Sequence, residues 1–471
     1  MRFFFPLIFL LISACGFVPP VGEKYKKPET KMPKAWNSGE NNFAKIEQDW
    51  WKNFDDPILN QAIAIAIENN YDFKIAQSRV LEARSNVTSE TSKLGPKVSA
   101  SAGASRQNNY IIPIAPKSRK IYDLFTAGFD ASWELDLFGG NYRSRQAAKA
   151  LLEASNEAKN YILVSLIAEV VKNYSDLRAA QKKLFLQKEI ENSYSEIVEL
   201  NEQKKLVGLL SEIDFGRLKI AMLNSKSDLA DAEAQNIVAL YNLEELLGKK
   251  PGTMKEFFGD AAEVPTLRKK IIIDAPVSLL ENRPDIKQAE HELAASVELK
   301  GYALAQLFPK ISLSGFLGFY STKSGSLIQP SSRAFSSGTK VTMPILDFGG
   351  VWAGKKIADQ RKKQALLSYE EKVNKALMDV ESSFANFAAE DKKLIIHSES
   401  FKISTMINDL NYQRYENGII SYVEYLQSKI DKLKAEQKLT AVKADFVNKT
   451  VAVYKSLGGG WEFNKTEGLK N

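Results

Sequence analysis

The chain is poor in the side chains that most chemistry uses. Its 471 residues hold one cysteine and two histidines, His291 and His397. A lone cysteine excludes a disulfide framework and any cysteine-based zinc site. Two distant histidines leave little for histidine-dependent catalysis or metal binding. No run approaches the roughly 20 apolar residues that a membrane-spanning helix needs, and mean hydropathy is −0.26, so this is no polytopic helical membrane protein. There is also no strong excess of one charge: 64 Lys+Arg face 57 Asp+Glu, a net +7. The lysines are scattered among acids and read as solvated helix faces, so no nucleic-acid partner is expected. Asp347-Phe348-Gly349 lacks the other kinase motifs, and Gly248-Lys249-Lys250 lacks the upstream glycine and following hydroxyl of a phosphate-binding loop. An enzyme is therefore not expected, nor a bound cofactor.

What is present begins at the N-terminus. Arg2 precedes an apolar run from Phe3 to Ile12, too short to span a bilayer but the size of a signal-peptide core. Ile12-Ser13-Ala14-Cys15 then resembles the bacterial lipobox, in which the cysteine becomes the acylated N-terminus after cleavage; the plainer reading is a secretory signal with an incidental cysteine. Residues 1–14 are accordingly expected to be a lipoprotein signal peptide and Cys15 the site of a covalent lipid. Several acyl chains, at roughly 0.8 kcal/mol per buried CH₂, would anchor the chain firmly.

The rest is a tandem duplication. Phe138-Gly139-Gly140 recurs as Phe348-Gly349-Gly350, Gly208 as Gly418, Ser211 as Ser421 and Leu247-Gly248 as Leu457-Gly458, all 210 residues apart. Upstream, Pro96-Lys97 matches Pro309-Lys310 and Asp72 matches Asp285, 213 residues apart. The difference of three falls between Pro96 and Gly139, within a variable loop. The domain reading follows: an N-terminal segment 15–56, repeat one over 57–248, a linker 249–283, repeat two over 284–458, and a tail 459–471.

Within each repeat the hydrophobic period changes. Residues 57–94 and 284–307 have apolar positions every three to four residues and read as helices ended by Pro96 and Pro309. Strict alternation follows: Phe125, Phe129, Trp133 and Leu135 point one way, and Thr126, Asp130 and Glu134 the other. Ile311, Leu313, Leu317 and Phe319 alternate likewise with Ser312, Ser314, Gly318 and Tyr320. Each repeat thus supplies one β-hairpin, about 97–136 and about 310–346, with loop-like stretches at 107–120 and 323–334. After each Gly-Gly, 141–207 and 351–417 contain no proline and only one glycine, Gly354. At 1.5 Å per residue such helices are about 100 Å long. Their density of Lys and Glu forbids lipid burial, so they must pack laterally as coiled coils. A glycine turn and a shorter helix, 212–247 or 422–457, close each repeat.

Four short strands with one apolar and one polar face match a transmembrane β-barrel; a small soluble antiparallel sheet is the alternative. An open sheet in lipid would leave edge groups unpaired at several kcal/mol each, and barrels need about eight strands or more. Copies of the chain must then share one barrel around a wet lumen. Spacing does not decide among two, three or four copies.

At this point the residues resemble the TolC family of outer-membrane efflux channels, in the lipoprotein branch that partners resistance-nodulation-division pumps. Gly22-Glu23-Lys24-Tyr25-Lys26-Lys27-Pro28 resembles that branch's G-x-x-Y-x-x-P segment. Trp50-Trp51-Lys52-Asn53-Phe54-Asp55-Asp56-Pro57-Ile58-Leu59 resembles its W-W-x-x-F-x-D-P-x-L block. Leu279-Leu280-Glu281-Asn282-Arg283-Pro284-Asp285-Ile286 with Ala289-Glu290 resembles its L-L-x-x-R-P-D-I-x-x-A-E signature. The resemblance implies an α+β membrane protein: a homotrimer with a shared twelve-strand barrel in the outer membrane of a Gram-negative bacterium, and an α-helical tunnel in the periplasm. It also implies an equatorial belt from the N-terminal segment, 249–283 and the tail, a periplasmic adaptor protein and an inner-membrane pump. The expected role is a passive exit duct for small molecules. A duct for type I protein secretion is the alternative within the family, and a structural coiled-coil envelope lipoprotein the alternative outside it.

The resemblance also nominates sites. The turns around Gly208, Leu209 and Ser211, and around Gly418, Ile419 and Ser421, become periplasmic tips that close the tunnel and receive the adaptor. Asp214 and Glu424 lie six residues past the glycines, and Glu424 matches a gate carboxylate of the family; a ring of like charges there would favour cations. Gln427 stands where the family often has a second acid. The plainer reading is that Ser211-x-x-Asp214 and Ser421-x-x-Glu424 are capping boxes. Arg283-Pro284-Asp285 reads as simple helix capping by Asp285, with structural packing at the equatorial belt as the alternative. Gly139-Gly140 and Gly349-Gly350 read as strand-to-helix bends, and Tyr110, Tyr122, Trp133 and Tyr320 as an interfacial aromatic belt or ordinary packing.

Overall fold

The computed structural model describes residues 20–37, 48–110, 119–259, 263–266 and 276–460. The signal peptide, Cys15, the stretch holding Pro113 and Pro116, parts of the 249–283 linker and the tail beyond Gly460 lie outside the described residues. The main elements are α1 (Pro57–Asn69), α2 (Tyr71–Ser92), β1 (Lys97–Tyr110), β2 (Arg119–Leu135), α3 (Gly140–Leu206), α4 (Glu212–Leu246), α5 (Pro284–Ala305), β3 (Lys310–Ser321), β4 (Arg333–Thr342), α6 (Gly350–Glu416) and α7 (Tyr422–Leu457). Both α3 and α6 run for 67 residues, about 100 Å at 1.5 Å per residue. Among the described residues no helix is long and apolar enough to cross a membrane.

The expected single helix over 57–94 is two helices. Asn70 adopts extended backbone (ψ 131°) and ends α1. Its side-chain oxygen accepts from the Phe73 amide at 3.0 Å, and its side-chain nitrogen donates to the Leu246 carbonyl at 3.0 Å. One asparagine thus caps the new helix and ties it to the end of α4, which offsets the break. The strands also reach further into the expected loop, β1 continuing to Tyr110 and β2 beginning at Arg119.

The chain divides into two compact units, each drawing on both repeats. One holds the segment ending at Glu29 with Arg79–Asn156 and Gln288–Glu370; the other holds Thr30–Ser78, Glu157–Lys287 and Glu371 onward.

The first unit carries the sheet, antiparallel throughout, in the order β1-β2-β3-β4. A strap, residues 20–29, lies on its helices. Arg143 of α3 holds it: the buried guanidinium meets Glu298 of α5 at 2.8 Å and donates to the carbonyls of Val21 (3.1 Å) and Gly22 (3.0 Å). Further along the strap, Glu23 pairs with Lys300 and Lys362, and the Lys362 ammonium draws its carboxyl below the usual range. Lys27 and the Tyr25 hydroxyl both meet Glu290.

The second unit carries the helical packing. Leu186, Ile190 and Ile197 of α3 interlock with Leu426, Ile430 and Leu433 of α7; spacings of three, four and seven keep each set on one helix face. Trp50 is buried and stacks on Tyr454 at 4.8 Å. Asp56 caps α1 through the Ile58 and Leu59 amides and accepts the Tyr174 hydroxyl at 2.6 Å. Desolvation, then that hydrogen bond, raises the Tyr174 pKa. Arg283-Pro284-Asp285 does more than cap. The buried Arg283 guanidinium bridges Asp285 (2.8 Å), Asp379 (3.2 Å) and the Ser456 carbonyl (3.0 Å), joining α5 to α6 and α7. These contacts fit the packing alternative rather than simple capping: the Asp285 carboxylate faces the arginine as well as the Ile286 amide.

Candidate functional site: the two-faced sheet and the helical tips

The sheet has two chemically different faces, and most of each is open, with Leu135 buried at the helical end of the apolar one. Residues paired across a ladder share a face, and the register groups Ser101, Gly128, Gly318 and Ala334 on one side, and Ala100, Phe129, Leu317 and Phe335 on the other. On the apolar side Phe129, Leu317 and Phe335 are each more than half exposed. A soluble sheet would bury that face under helices. On the polar side Ser101 hydrogen-bonds Asp130.

Phe316 breaks the alternation. It lies on the polar side, stacked on Tyr320 at 4.8 Å, with its ring across Gly128 and Gly318. A Cβ at either glycine would fall 2.7 Å from Phe316 Cζ, so the ring fits only because both side chains are missing. Tyr122 and Tyr320 share the polar side by register, which removes them from an aromatic belt on the apolar side. Trp133 is on the apolar side, its indole N–H donating to the Leu94 carbonyl at 3.0 Å; that polar handle on an apolar body suits an interface.

The two tips share a backbone and differ in chemistry. Gly208 (φ 75°) and Gly418 (φ 70°) take the left-handed conformation that a side chain disfavours. Leu209 N–H reaches Lys204 O at 2.8 Å and Gly208 N–H reaches Lys205 O at 2.9 Å; Ile419 and Gly418 repeat this on Arg414 and Tyr415. These paired bonds satisfy the last carbonyls of α3 and α6. Leu206, Val207, Leu209, Ile213 and Ile419 point outward, each more than 60% exposed.

Only one of the two expected capping boxes is complete. Ser421 accepts from the Glu424 amide (3.2 Å) while Glu424 accepts from the Ser421 amide (2.8 Å). Ser211 accepts from the Asp214 amide at 3.0 Å, but the Asp214 carboxylate takes the Ser211 hydroxyl instead, at 2.7 Å. Aspartate is one methylene too short to reach back to the backbone. It also lies 3.6 Å from Arg217.

Glu424 and Gln427 are exposed, three residues apart on α7, and Gln427 donates to Asp431 at 3.4 Å. Glu424, Gln427 and Asp431 therefore make one stripe, with a second acid one turn beyond the position that the family pattern nominates. A search at i+7 from Glu424 would have found it. Four tyrosines at the second tip went unnoticed in the sequence. Tyr412, Tyr415, Tyr422 and Tyr425 contact one another with ring centroids 5.0–6.0 Å apart, and the Tyr422 hydroxyl donates to Glu196 of α3 at 2.9 Å. Burial, then this hydrogen bond, pushes Tyr422 up to about 12. The first tip has Lys205 there, set over the Phe215 ring at 4.8 Å and paired with Glu212 at 2.9 Å. Among the described residues no group of three or more His, Cys, Asp or Glu could hold a metal ion.

Long polar helices joined to a sheet that bares an apolar face define an outer-membrane channel subunit. Comparison with known proteins narrows this class. The outer membrane efflux protein family profile matches residues 62–249 and 275–459, one match per repeat, and the chain belongs to that family. It is 27% identical over 470 residues to the solvent efflux pump outer membrane protein SrpC of Pseudomonas putida, covering 97% of each chain. It is 25% identical over 461 residues to the probable outer membrane lipoprotein SilC of Salmonella typhimurium, covering 96% of this chain and 97% of the other. The solved structure of the outer-membrane channel OprN superposes with a TM-score of 0.83 at 30% identity, covering 94% of this chain and 99% of OprN.

Proposed function

We propose that three copies of this chain form the exit duct of a tripartite efflux system, sharing one twelve-strand barrel in the outer membrane. One observation carries the reading: the four-stranded sheet leaves most of its apolar face uncovered and β1 and β4 as free edges. In lipid each unpaired edge group costs several kcal/mol, so two open edges of ten or more residues would cost tens of kcal/mol. Pairing the edges between copies removes that cost, and four strands per chain fall short of the roughly eight a barrel needs.

The remaining assignments follow from this frame. Cys15 is the acylated anchor, as SilC's description as a lipoprotein suggests by analogy. The exposed apolar tips at Gly208–Leu209 and Gly418–Ile419 receive a periplasmic adaptor, which links the duct to an inner-membrane pump of the resistance-nodulation-division type. Asp214, Glu424 and Gln427, with Asp431, face the narrow end of the tunnel, where repeated carboxylates favour cations. The pump supplies the free energy and the duct remains passive. SrpC is described as a solvent efflux protein, and we carry small-molecule cargo over to this chain. Purified protein in planar bilayers should give ion currents and run on gels as a heat-sensitive trimer; a monomer without conductance refutes the duct. Palmitate labelling should be lost in Cys15→Ser, and adaptor cross-linking should be lost when Leu209 and Ile419 become Asp.

A further inference from the structure

The polar side of the sheet carries an aromatic pair that the alternation does not call for. Along β3 that side holds Ser312, Ser314, Phe316, Gly318 and Tyr320, two rings in a row otherwise of serine and glycine. Phe316 and Tyr320 are four residues apart, about 14 Å along an extended strand. Their ring centroids nevertheless lie 4.8 Å apart, with planes 9° from parallel. Both side chains therefore lean along the strand toward Gly318 and meet above it. Gly318 and Gly128 make the space, since a Cβ on either would fall 2.7 Å from Phe316 Cζ. Tyr320 is 46% exposed and Phe316 half-buried, so the stack is open on that side of the sheet.

The duplication shows that the hairpin fold does not require this stack. The residues 213 positions before Phe316, Gly318 and Tyr320 are Gly103, Ser105 and Gln107. The first hairpin keeps the register of the second, with Lys97 opposite Ser132 as Lys310 is opposite Thr342. It does so with no ring on this side at those positions. A carboxylate beside the stack is equally particular to it. Asp130 stands directly opposite Phe316, accepts the Ser101 hydroxyl and forms no ion pair among the described residues. Its counterpart 210 residues on is Lys340. By register the nearest cation on this side is Lys97, one step nearer the helices. Aromatic stack and acid thus coincide on β2 and β3 and have no counterpart on β4 and β1.

We propose that Phe316, Tyr320 and Asp130 form a binding station for planar aromatic cations on the wall of the duct. The inference rests on the reading above, in which the polar side of the sheet lines a wet lumen. A flat ring system with delocalised positive charge stacks on the aromatic pair, and the Asp130 carboxylate favours that charge over a negative one. Each copy in a shared barrel supplies one such station. Its contacts are open to water and therefore weak, which suits a surface that a solute must leave as readily as it arrives.

Current block in planar bilayers tests the station in the full chain. The probes are proflavine, a planar aromatic cation, and tetrapropylammonium, a compact cation of the same charge. Phe316→Leu keeps apolar bulk on the strand and removes the ring. It should raise the proflavine concentration for half-block about tenfold, equivalent to about 1.4 kcal/mol, and leave tetrapropylammonium block unchanged. Phe316→Tyr should restore proflavine block. Tyr320→Leu, at the more open ring, should weaken it in the same direction and gives the test independently if Phe316→Leu fails to assemble. Asp130→Asn should weaken proflavine block about threefold, and an unchanged value overturns the charge preference. Proflavine block that survives loss of either ring, or a loss shared equally by both probes, overturns the station and leaves the duct standing. A chain that gives neither current nor oligomer overturns the duct, and the station with it.

Discussion

Arg143 offers the sharpest test of how the N-terminal strap is held. Its guanidinium is 4% exposed and serves four acceptors: the Glu298 carboxylate at 2.8 Å and the carbonyls of Val21, Gly22 and Pro20 at 3.1, 3.0 and 3.5 Å. Arg143→Ala leaves a mostly buried carboxylate and three carbonyls without their donor. Removing one member of a buried pair costs about 3–5 kcal/mol. Glu298 is 15% exposed and the strap can lift its carbonyls into water, so the lower end, about 3 kcal/mol, applies here. That corresponds to about a hundredfold rise in the open population of the strap. The Val21 amide reports it directly, because it donates to the Phe138 carbonyl at 3.2 Å. Hydrogen exchange at Val21 should quicken about a hundredfold in Arg143→Ala and less in Arg143→Lys, which keeps the charge and loses the fork. Exchange within about threefold of the unmodified chain would mean that other contacts hold the strap, and the reasoning would fail.

The other perturbations address the tips and the second unit. Glu424→Ala and Asp431→Asn should each lower the preference for cations over anions by about two- to threefold in bilayer recordings, and a double variant as selective as the unmodified channel refutes their place at the constriction. Tyr422→Phe removes the bond to Glu196, an effect of about 1 kcal/mol at a partly exposed site. Tyr422 sits at about 12 against 10.0 unfolded, so its neutral hydroxyl contributes stability that is complete below pH 10 and lost as pH rises toward 12. Thermal dissociation of the unmodified protein should therefore fall more steeply than that of Tyr422→Phe between pH 10 and 12; parallel curves would exclude the bond. Arg283→Ala should destabilise by about 3–5 kcal/mol by stranding Asp285 and the Ser456 carbonyl, and Arg283 replaced together with Asp285 by apolar residues should recover part of it in the same melting assay.

Sequence reading succeeded where backbone rules dominate. The long helices follow from two stretches nearly free of Gly and Pro, the tips from glycines needing positive φ, and the strands from alternation of period two. It was weaker where distant parts of the chain meet. Nothing local distinguishes Asn70 from a helical asparagine; its break depends on the Leu246 carbonyl 176 residues away. Arg143 reads as a surface arginine until the strap folds over it, and Arg283 reads as a helix-start residue until α6 and α7 close around it. The acidic stripe is half legible in the sequence: Glu424 stands out by its distance from a glycine, whereas Asp431 shows only when the helix face is followed beyond an offset of nine. The tyrosine cluster combines residues from both sides of a turn, which a scan along a single helix does not bring together.

Where the repeats agree and where they part company separates architecture from function. Both hairpins keep one register under offsets of 213 and 210, both tips keep the glycine turn, and both following helices keep a serine cap. A barrel that closes on itself demands that sameness, because one slipped ladder would turn an apolar face to the lumen. Side chains at the ends of the helices carry no such constraint, and there the halves diverge. The first tip presents Lys205, Arg217 and outward leucines; the second presents tyrosines and the Glu424–Asp431 stripe. In a trimer the two chemistries would alternate six times around the tunnel mouth. A ligand binding only one kind would engage three tips, whereas one that reads the shared glycine turn would engage six. The stoichiometry of adaptor to channel therefore reports which part of the tip is recognised: three for side chains, six for the backbone turn common to both halves.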